Sequence, residues 1–321
     1  MEIDTIITLT RQQIPNLNGD AVSVSEIAKG GSDRRYFRMK TGDRSLIFCQ
    51  YGSETPENSR FAQHTDYLAE NNVAVPTILA RDPGNRRLWI EDLGELDLWS
   101  FRNEAWPVRR KLYEKTLEMV SRIHALSESC ATNLPVLGPE FNEGMYSWEQ
   151  DYFFENFVAN FSDVAPDQVA EIRASPHLAA LKQELVLPPR CLIHRDFQSQ
   201  NVLIQNGNPV FIDYQGLRFG LAEYDLASLI FDPYVPMKPE EREDLIAFAE
   251  TRSTTPNFRS QFYKCACQRL MQALGAYGFL GLVKKKTAFL EHISPAVANL
   301  RAVAVDSGAL PVLDPVLRLR S

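Results

Sequence analysis

The chain has 321 residues, a formal net charge of −7 and a pI near 5.4; that length accommodates two lobes or domains, and the charge argues against nucleic acid or an acidic membrane as the main partner. The longest apolar stretch, around residues 273–283, is broken by glycines and falls well short of the roughly 20 residues of a membrane helix. Five cysteines, an odd number, suit a reducing compartment, and with no charged-then-apolar leader the chain reads as cytoplasmic.

Residues 1–20 predict a short helix ending at the turn residues 16–19. Residues 22–27 alternate as a strand, Gly30-Gly31-Ser32-Asp33 supplies a turn, residues 36–40 resume the strand pattern, residues 41–43 turn again, and residues 46–51 form a third strand. Residues 60–71 have helical spacing, and residues 73–80 and 87–91 give two more strands. The small lobe closes near Leu93-Gly94, which divides the chain into 1–93 and 94–321. Beyond it, residues 108–126 place Leu112, Leu117, Val120 and Ile123 on one helical stripe. Helical signals dominate from Glu149 onward except over 191–214. Cys265 and Cys267 lie two apart in a segment of helical pattern and read as core packing, because no second pair or histidine cluster completes a zinc site.

The exception carries the chemistry. Ile193-His194-Arg195-Asp196 ends one apolar strand, Asn201 follows in the same loop, and Val210-Phe211-Ile212 delivers Asp213. Transfer of a γ-phosphoryl group needs a carboxylate to orient and deprotonate the acceptor hydroxyl, together with oxygen ligands for Mg²⁺ on the phosphates. Asp196 suits the first role. Asn201 and Asp213 suit the second, since Mg²⁺ is hard and accepts one or two protein oxygens while keeping waters and phosphates.

The H-R-D-x-x-x-x-N spacing resembles the protein-kinase-like superfamily, and Ile212-Asp213-Tyr214-Gln215-Gly216 in place of Asp-Phe-Gly resembles its aminoglycoside phosphotransferase and choline kinase branch. Arg34-Arg35-Tyr36-Phe37-Arg38, Glu91-Asp92-Leu93-Gly94, the segment 220–232 and the run from Gln268 to Gly275 further resemble the bacterial anomeric kinases of N-acetylmuramate and N-acetylglucosamine. The resemblance implies an α+β, bilobal protein-kinase-like fold with a small antiparallel-sheet N-lobe that binds nucleotide and a larger, mainly helical C-lobe. It implies ATP and Mg²⁺ as cofactors and a small-molecule acceptor, with no obligate protein partner.

Gly31 and Ser32 are expected to approach the phosphates, because consecutive glycines free backbone N–H groups for anions; a bare hairpin turn would use the same residues. The third strand has no lysine where the kinase pattern places one to hold the α- and β-phosphates, and an arginine of the 34–38 cluster is expected to substitute. Arg35 is preferred over Arg34, with the two on opposite strand faces. Glu91 and Leu93 are expected at the adenine edge by position. His194, His124 and Asp225 read as scaffolding for the loop. Trp148, Glu149 and Tyr152 are acceptor-pocket candidates, although an amphipathic helix would bury the same aromatics as core, and Arg218 could meet an acidic substrate group such as a lactyl carboxylate. The expected activity is phosphorylation of the anomeric hydroxyl of an N-acetylated amino sugar in cell-wall recycling. An aminoglycoside or amino-alcohol kinase, and a non-catalytic nucleotide-binding regulator, are the alternatives.

Overall fold

The computed structural model describes residues 2–15, 21–27, 34–53 and 56–320. The glycine turn carrying Gly31 and Ser32 lies outside them.

Five strands form one antiparallel sheet in the order β1-β2-β3-β5-β4: β1 (Ser23–Ile27), β2 (Arg35–Thr41), β3 (Arg44–Gln50), β4 (Ile78–Asp82) and β5 (Arg87–Glu91). Alternation sorts their side chains. Phe37, Met39, Leu46, Phe48 and Trp89 share one face with Ile6 of helix α1 (Ile3–Gln13). The Trp89 indole donates to the Thr10 hydroxyl at 2.7 Å, which satisfies an N–H that burial would otherwise orphan. Ile47, Cys49, Leu88 and Ile90 point the other way, into the main core. Gly42, at φ +54°, makes the two-residue β2–β3 turn, where a positive φ matches the strand twist.

Helix α2 (Phe61–Glu70) follows β3. The strand expected over 73–80 begins only at Ile78. Pro76 cannot donate to a ladder, and the carbonyl of Ala74 is taken by the Phe211 N–H at 2.9 Å, so this stretch docks on the far side of the cleft instead of joining the sheet.

After β5 the chain becomes largely helical: α3 (Trp106–His124), α4 (Glu143–Phe153), α5 (Ala159–Phe161), α6 (Pro166–Arg173), α7 (Pro176–Val186), α8 (Ala222–Ile230), α9 (Pro239–Glu250), α10 (Phe258–Gly278), α11 (Ile293–Asp306) and α12 (Leu310–Leu313). Two ribbons interrupt them, β6 (Cys191–Ile193) with β9 (Arg218–Gly220) and β7 (Val202–Gln205) with β8 (Asn208–Phe211). Helix α10 lies so close to α4 that a Cβ on Gly275 would sit 2.8 Å from the Tyr152 carbonyl oxygen, an approach that only glycine allows. Cys265 and Cys267 are both fully buried in α10. The whole is bilobal and α+β, and among the described residues no helix is long and apolar enough to cross a membrane.

Candidate active site

The loop between β6 and β7 is held from behind. Asp225, fully buried on α8, accepts the backbone N–H of His194 at 2.7 Å on one oxygen and that of Arg195 at 2.9 Å on the other, and His124 Nε2 lies 3.0 Å from it. These bonds stabilise Arg195 in a left-handed conformation, φ +78°, which a non-glycine residue adopts only when its surroundings over-determine it. His194 Nε2 lies 2.9 Å from the Ile212 carbonyl, so the histidine ties this loop to the strand that delivers Asp213. One turn on, Ser199 donates its N–H and its hydroxyl to the buried Asp232.

The bend projects Asp196 into a cluster of guanidinium groups. Arg195 Nη1 donates to Oδ2 at 2.8 Å, and Arg269 Nη2 of α10 lies 4.0 Å from Oδ1. Burial would raise the Asp196 pKa; Arg195, then Arg269, His194 and Arg218 oppose it, and the carboxyl is held below its ordinary value. Arg269 is itself fixed by bonds to the Ser228 hydroxyl at 3.0 Å and to Gln272. Its role is not evident from sequence because 73 residues separate it from Asp196; the run from Gln268 to Gly275 was the only signal.

Asn201 and Asp213 are brought together by the backbone. The Asn201 carbonyl accepts the Ile212 N–H at 3.1 Å, immediately before Asp213, and the Asn201 amide donates to the Asp196 carbonyl at 2.8 Å. Asp213 also sits in a left-handed conformation, φ +64°. An amide oxygen and a carboxylate are hard donors and fit Mg²⁺. Two protein oxygens leave the other positions around such an ion to phosphates and water.

On the sheet side, the structure corrects the order of the two arginines. Arg35 lies on the outer face, half exposed, and pairs with Glu26 at 2.9 Å. Arg34 turns inward and reaches Asp213, Nη2 to Oδ1, at 2.6 Å. Adjacent residues on an extended chain point to opposite sides, and the side that carries Phe37 faces away from the cleft. Arg38, two residues further along the inner face after Tyr36, donates to Asp92 at 2.8 and 3.1 Å and to the Gly94 carbonyl at 3.0 Å, which fixes the segment leaving β5. Leu93 is buried there. Glu91 spends its backbone N–H on the Thr77 carbonyl at 2.9 Å and accepts the Thr77 N–H on its carboxylate at 3.1 Å, so its own N–H is already engaged. Helix α2 meets the turn that follows Asp213: Phe61 stacks on Tyr214 at 5.3 Å, and the Thr65 and Tyr214 hydroxyls lie 2.7 Å apart.

The acceptor candidates separate into two groups. Trp148, 46% exposed, stacks on Tyr152 with centroids 5.0 Å apart, and the Tyr152 phenol feels the charge of Arg195 in the loop between β6 and β7. Glu149 does not share their surface. It is fully buried, with its oxygens taken by the Tyr224 hydroxyl at 2.6 Å and Gln268 Nε2 at 3.0 Å, and burial raises its pKa; the helical period turns residue 149 inward where 148 and 152 look out. Arg218, 6% exposed, donates Nε to the Gly216 carbonyl at 2.9 Å, and among the described residues no carboxylate lies within ion-pair distance of it. Burial and then the neighbouring Arg195 lower its pKa.

A model of the phosphotransferase enzyme family, APH, matches residues 23–259. The chain is 28% identical over 227 residues to the N-acetylmuramate/N-acetylglucosamine kinase of Pseudomonas aeruginosa, covering 69% of this chain and 64% of that protein, somewhat under two thirds of its length. It is 25% identical over 284 residues to the protein of the same name from Neisseria meningitidis serogroup B, covering 84% and 82%. Among solved structures, a choline/ethanolamine kinase family protein from Mesorhizobium loti superposes with a TM-score of 0.66 at 14% identity over 98% of this chain and 99% of that one. The ADP-bound aminoglycoside phosphotransferase APH(2'')-Ib does so with a TM-score of 0.61 at 10% identity over 94% and 99%. These likenesses establish the protein-kinase-like fold.

Proposed function

The chain belongs to the phosphotransferase enzyme family, and on that premise we propose that it is an ATP- and Mg²⁺-dependent small-molecule kinase that phosphorylates the anomeric hydroxyl of an N-acetylated amino sugar, giving the sugar 1-phosphate for a cell-wall recycling route. The observation that carries the acceptor class is the surplus of positive charge around Asp196. Arg195 and Arg269 lie 2.8 and 4.0 Å from this one carboxylate, which also feels the charge of Arg218, while Glu149 is buried with its oxygens taken by Tyr224 and Gln268.

In this reading Asp196 orients the acceptor hydroxyl and takes its proton. An anomeric hydroxyl is more acidic than an ordinary alcohol, so a carboxylate held anionic by guanidinium groups suffices as base late in a loose transition state. Asn201 and Asp213 would hold Mg²⁺, which supplies charge neutralisation on the phosphates. Trp148 and Tyr152 offer apolar faces for a sugar ring. Arg218 is suited to a carboxylate on the acceptor such as a lactyl group, because a buried guanidinium is stabilised by a forked anionic partner. The same charge disfavours the cationic acceptors of an aminoglycoside or amino-alcohol kinase.

The test is turnover of purified protein with MgATP against N-acetylmuramate, N-acetylglucosamine, simple hexoses, choline and an aminoglycoside. Selective formation of an N-acetylamino-sugar 1-phosphate is the expected result. Turnover confined to choline or the aminoglycoside would replace the reading, and nucleotide binding without transfer to any acceptor would favour a regulator.

A further inference from the structure

Residues 136–141, in the segment between α3 and α4, are fastened to two elements. The Val136 carbonyl lies 2.9 Å from His64 Nε2 and the Leu137 carbonyl accepts Arg60 Nη1 at 3.2 Å; His64 is on α2 and Arg60 immediately precedes it. The N–H groups of Gly138 and Phe141 donate to the Leu217 and Phe219 carbonyls at 3.0 and 2.9 Å. Those two carbonyls flank Arg218, so the segment lies against the strand that carries it. Arg218 spends its Nε on the Gly216 carbonyl at 2.9 Å, and its guanidinium carbon lies 5.9 Å from the Phe141 ring centroid. Nη1 and Nη2 make no hydrogen bond among the described residues, and neither is sealed from solvent. Gly138 meets this unused fork: a Cβ on it would sit 3.2 Å from Arg218 Nη2 and 3.4 Å from Cζ. Gly138 does not hold a positive φ, so it is the close approach and not the backbone conformation that calls for glycine.

We propose that Gly138 determines acceptor specificity: the absence of a side chain there lets Arg218 keep its two Nη groups as a free fork for a carboxylate of the acceptor, so that an acidic N-acetylated sugar is bound through a contact its neutral counterpart cannot make. This rests on the reading of Arg218 given above. A methyl group added at residue 138 cannot be absorbed by the backbone, which hydrogen bonds tie to α2 and to β9. The guanidinium has to give instead, by a few tenths of an ångström. A forked contact needs two N–H groups aligned with two oxygens at once, so a displacement of that size weakens it more than it would a single point charge. The Nε bond to Gly216 and the Phe141 ring limit the ways in which the group can turn aside. A neutral sugar forms no ion pair there and does not register the shift.

The test is a ratio, kcat/KM for N-acetylmuramate over kcat/KM for N-acetylglucosamine, measured with MgATP on the parent, Gly138→Ala, Gly138→Val, Arg218→Gln and the double variant Gly138→Ala/Arg218→Gln. In Gly138→Ala the ratio should fall by about 3- to 10-fold, less than the full loss of a charge-assisted hydrogen bond. Gly138→Val adds two more carbons and should lower it further. In the Arg218→Gln background, Gly138→Ala should change the ratio by no more than about 2-fold, because the group it displaces is gone. A glycine needed only to seat the segment would lower turnover of both sugars alike, and thermal melts identify any variant that fails to fold; Gly138→Ala decides alone if Gly138→Val does. A ratio that stays parental in Gly138→Ala, or that falls equally with and without Arg218, overturns the inference. A parent that phosphorylates neither sugar, or an Arg218→Gln variant with the parental ratio, overturns the reading of Arg218 on which it rests.

Discussion

The carboxylate of Asp225 accepts two consecutive backbone N–H groups, those of His194 and Arg195, at 2.7 and 2.9 Å. A buried side chain on α8 thereby dictates the backbone conformation of the residue that precedes the candidate base. Asp225→Ala leaves both donors without a partner, and each orphaned buried group costs about 1–3 kcal/mol. Denaturant unfolding should report a loss of that size per donor, together with reduced turnover. Asp225→Asn keeps one oxygen acceptor and should lie between the two. An Ala variant as stable and active as the parent would show that the loop holds its own shape.

Asp196→Asn should lower turnover by roughly 10²- to 10⁴-fold, the usual worth of general acid–base assistance, while nucleotide affinity changes little, because the amide keeps the shape and removes the proton acceptor. Steady-state kinetics alongside nucleotide titration checks this. Near-parental turnover removes Asp196 from the mechanism.

Asp213→Ala should reduce Mg²⁺-dependent nucleotide binding more than Asn201→Ala, since a carboxylate contributes charge and an oxygen whereas an amide contributes only the oxygen. Titrating Mg²⁺ at fixed nucleotide in both variants gives the ordering. The reverse ordering would exchange their assigned roles.

The depressed pKa of Asp196 has a definite sign. A general base works when deprotonated, so activity should persist as pH falls until it reaches a value below the ordinary 3.8 of an aspartic acid. The stability linked to this group is likewise fully present above the ordinary value and lost as pH falls through the lower folded one. Arg269→Gln removes one of the opposing charges and leaves burial less opposed, so the acid limb of kcat/KM should move to higher pH. An acid limb that stays where the parent has it would mean that Arg269 does not set the charge state of Asp196.

Arg218→Gln should raise KM for N-acetylmuramate by roughly 10- to 100-fold, in line with the ~1.5–3 kcal/mol of a charge-assisted hydrogen bond. Neutral N-acetylglucosamine, which lacks the carboxylate, should be affected by no more than about 2-fold. Equal losses on the two sugars would assign Arg218 to the loop instead of the acceptor.

What the amino-acid sequence determined alone is whatever depends on neighbours in the chain. The period-2 and period-3.6 patterns predict the sheet before residue 93 and the helices beyond it, and the contiguous run from His194 to Asn201 is legible because one short loop carries both side chains and little distant packing is needed to keep them together. Tertiary structure decided the rest. Alternation establishes that Arg34 and Arg35 face opposite ways but not which one faces the cleft. Both faces of β2 carry large apolar groups, Tyr36 on one side and Phe37 and Met39 on the other, so the pattern has no parity until α1 covers one of them. Glu149 reads as a pocket carboxylate until α8 and α10 close over it with Tyr224 and Gln268. Arg269 comes within 4.0 Å of Asp196 from α10, 73 residues further along the chain. In each case the deciding contact joins segments far apart in the chain, and such a contact leaves no periodic trace in either one.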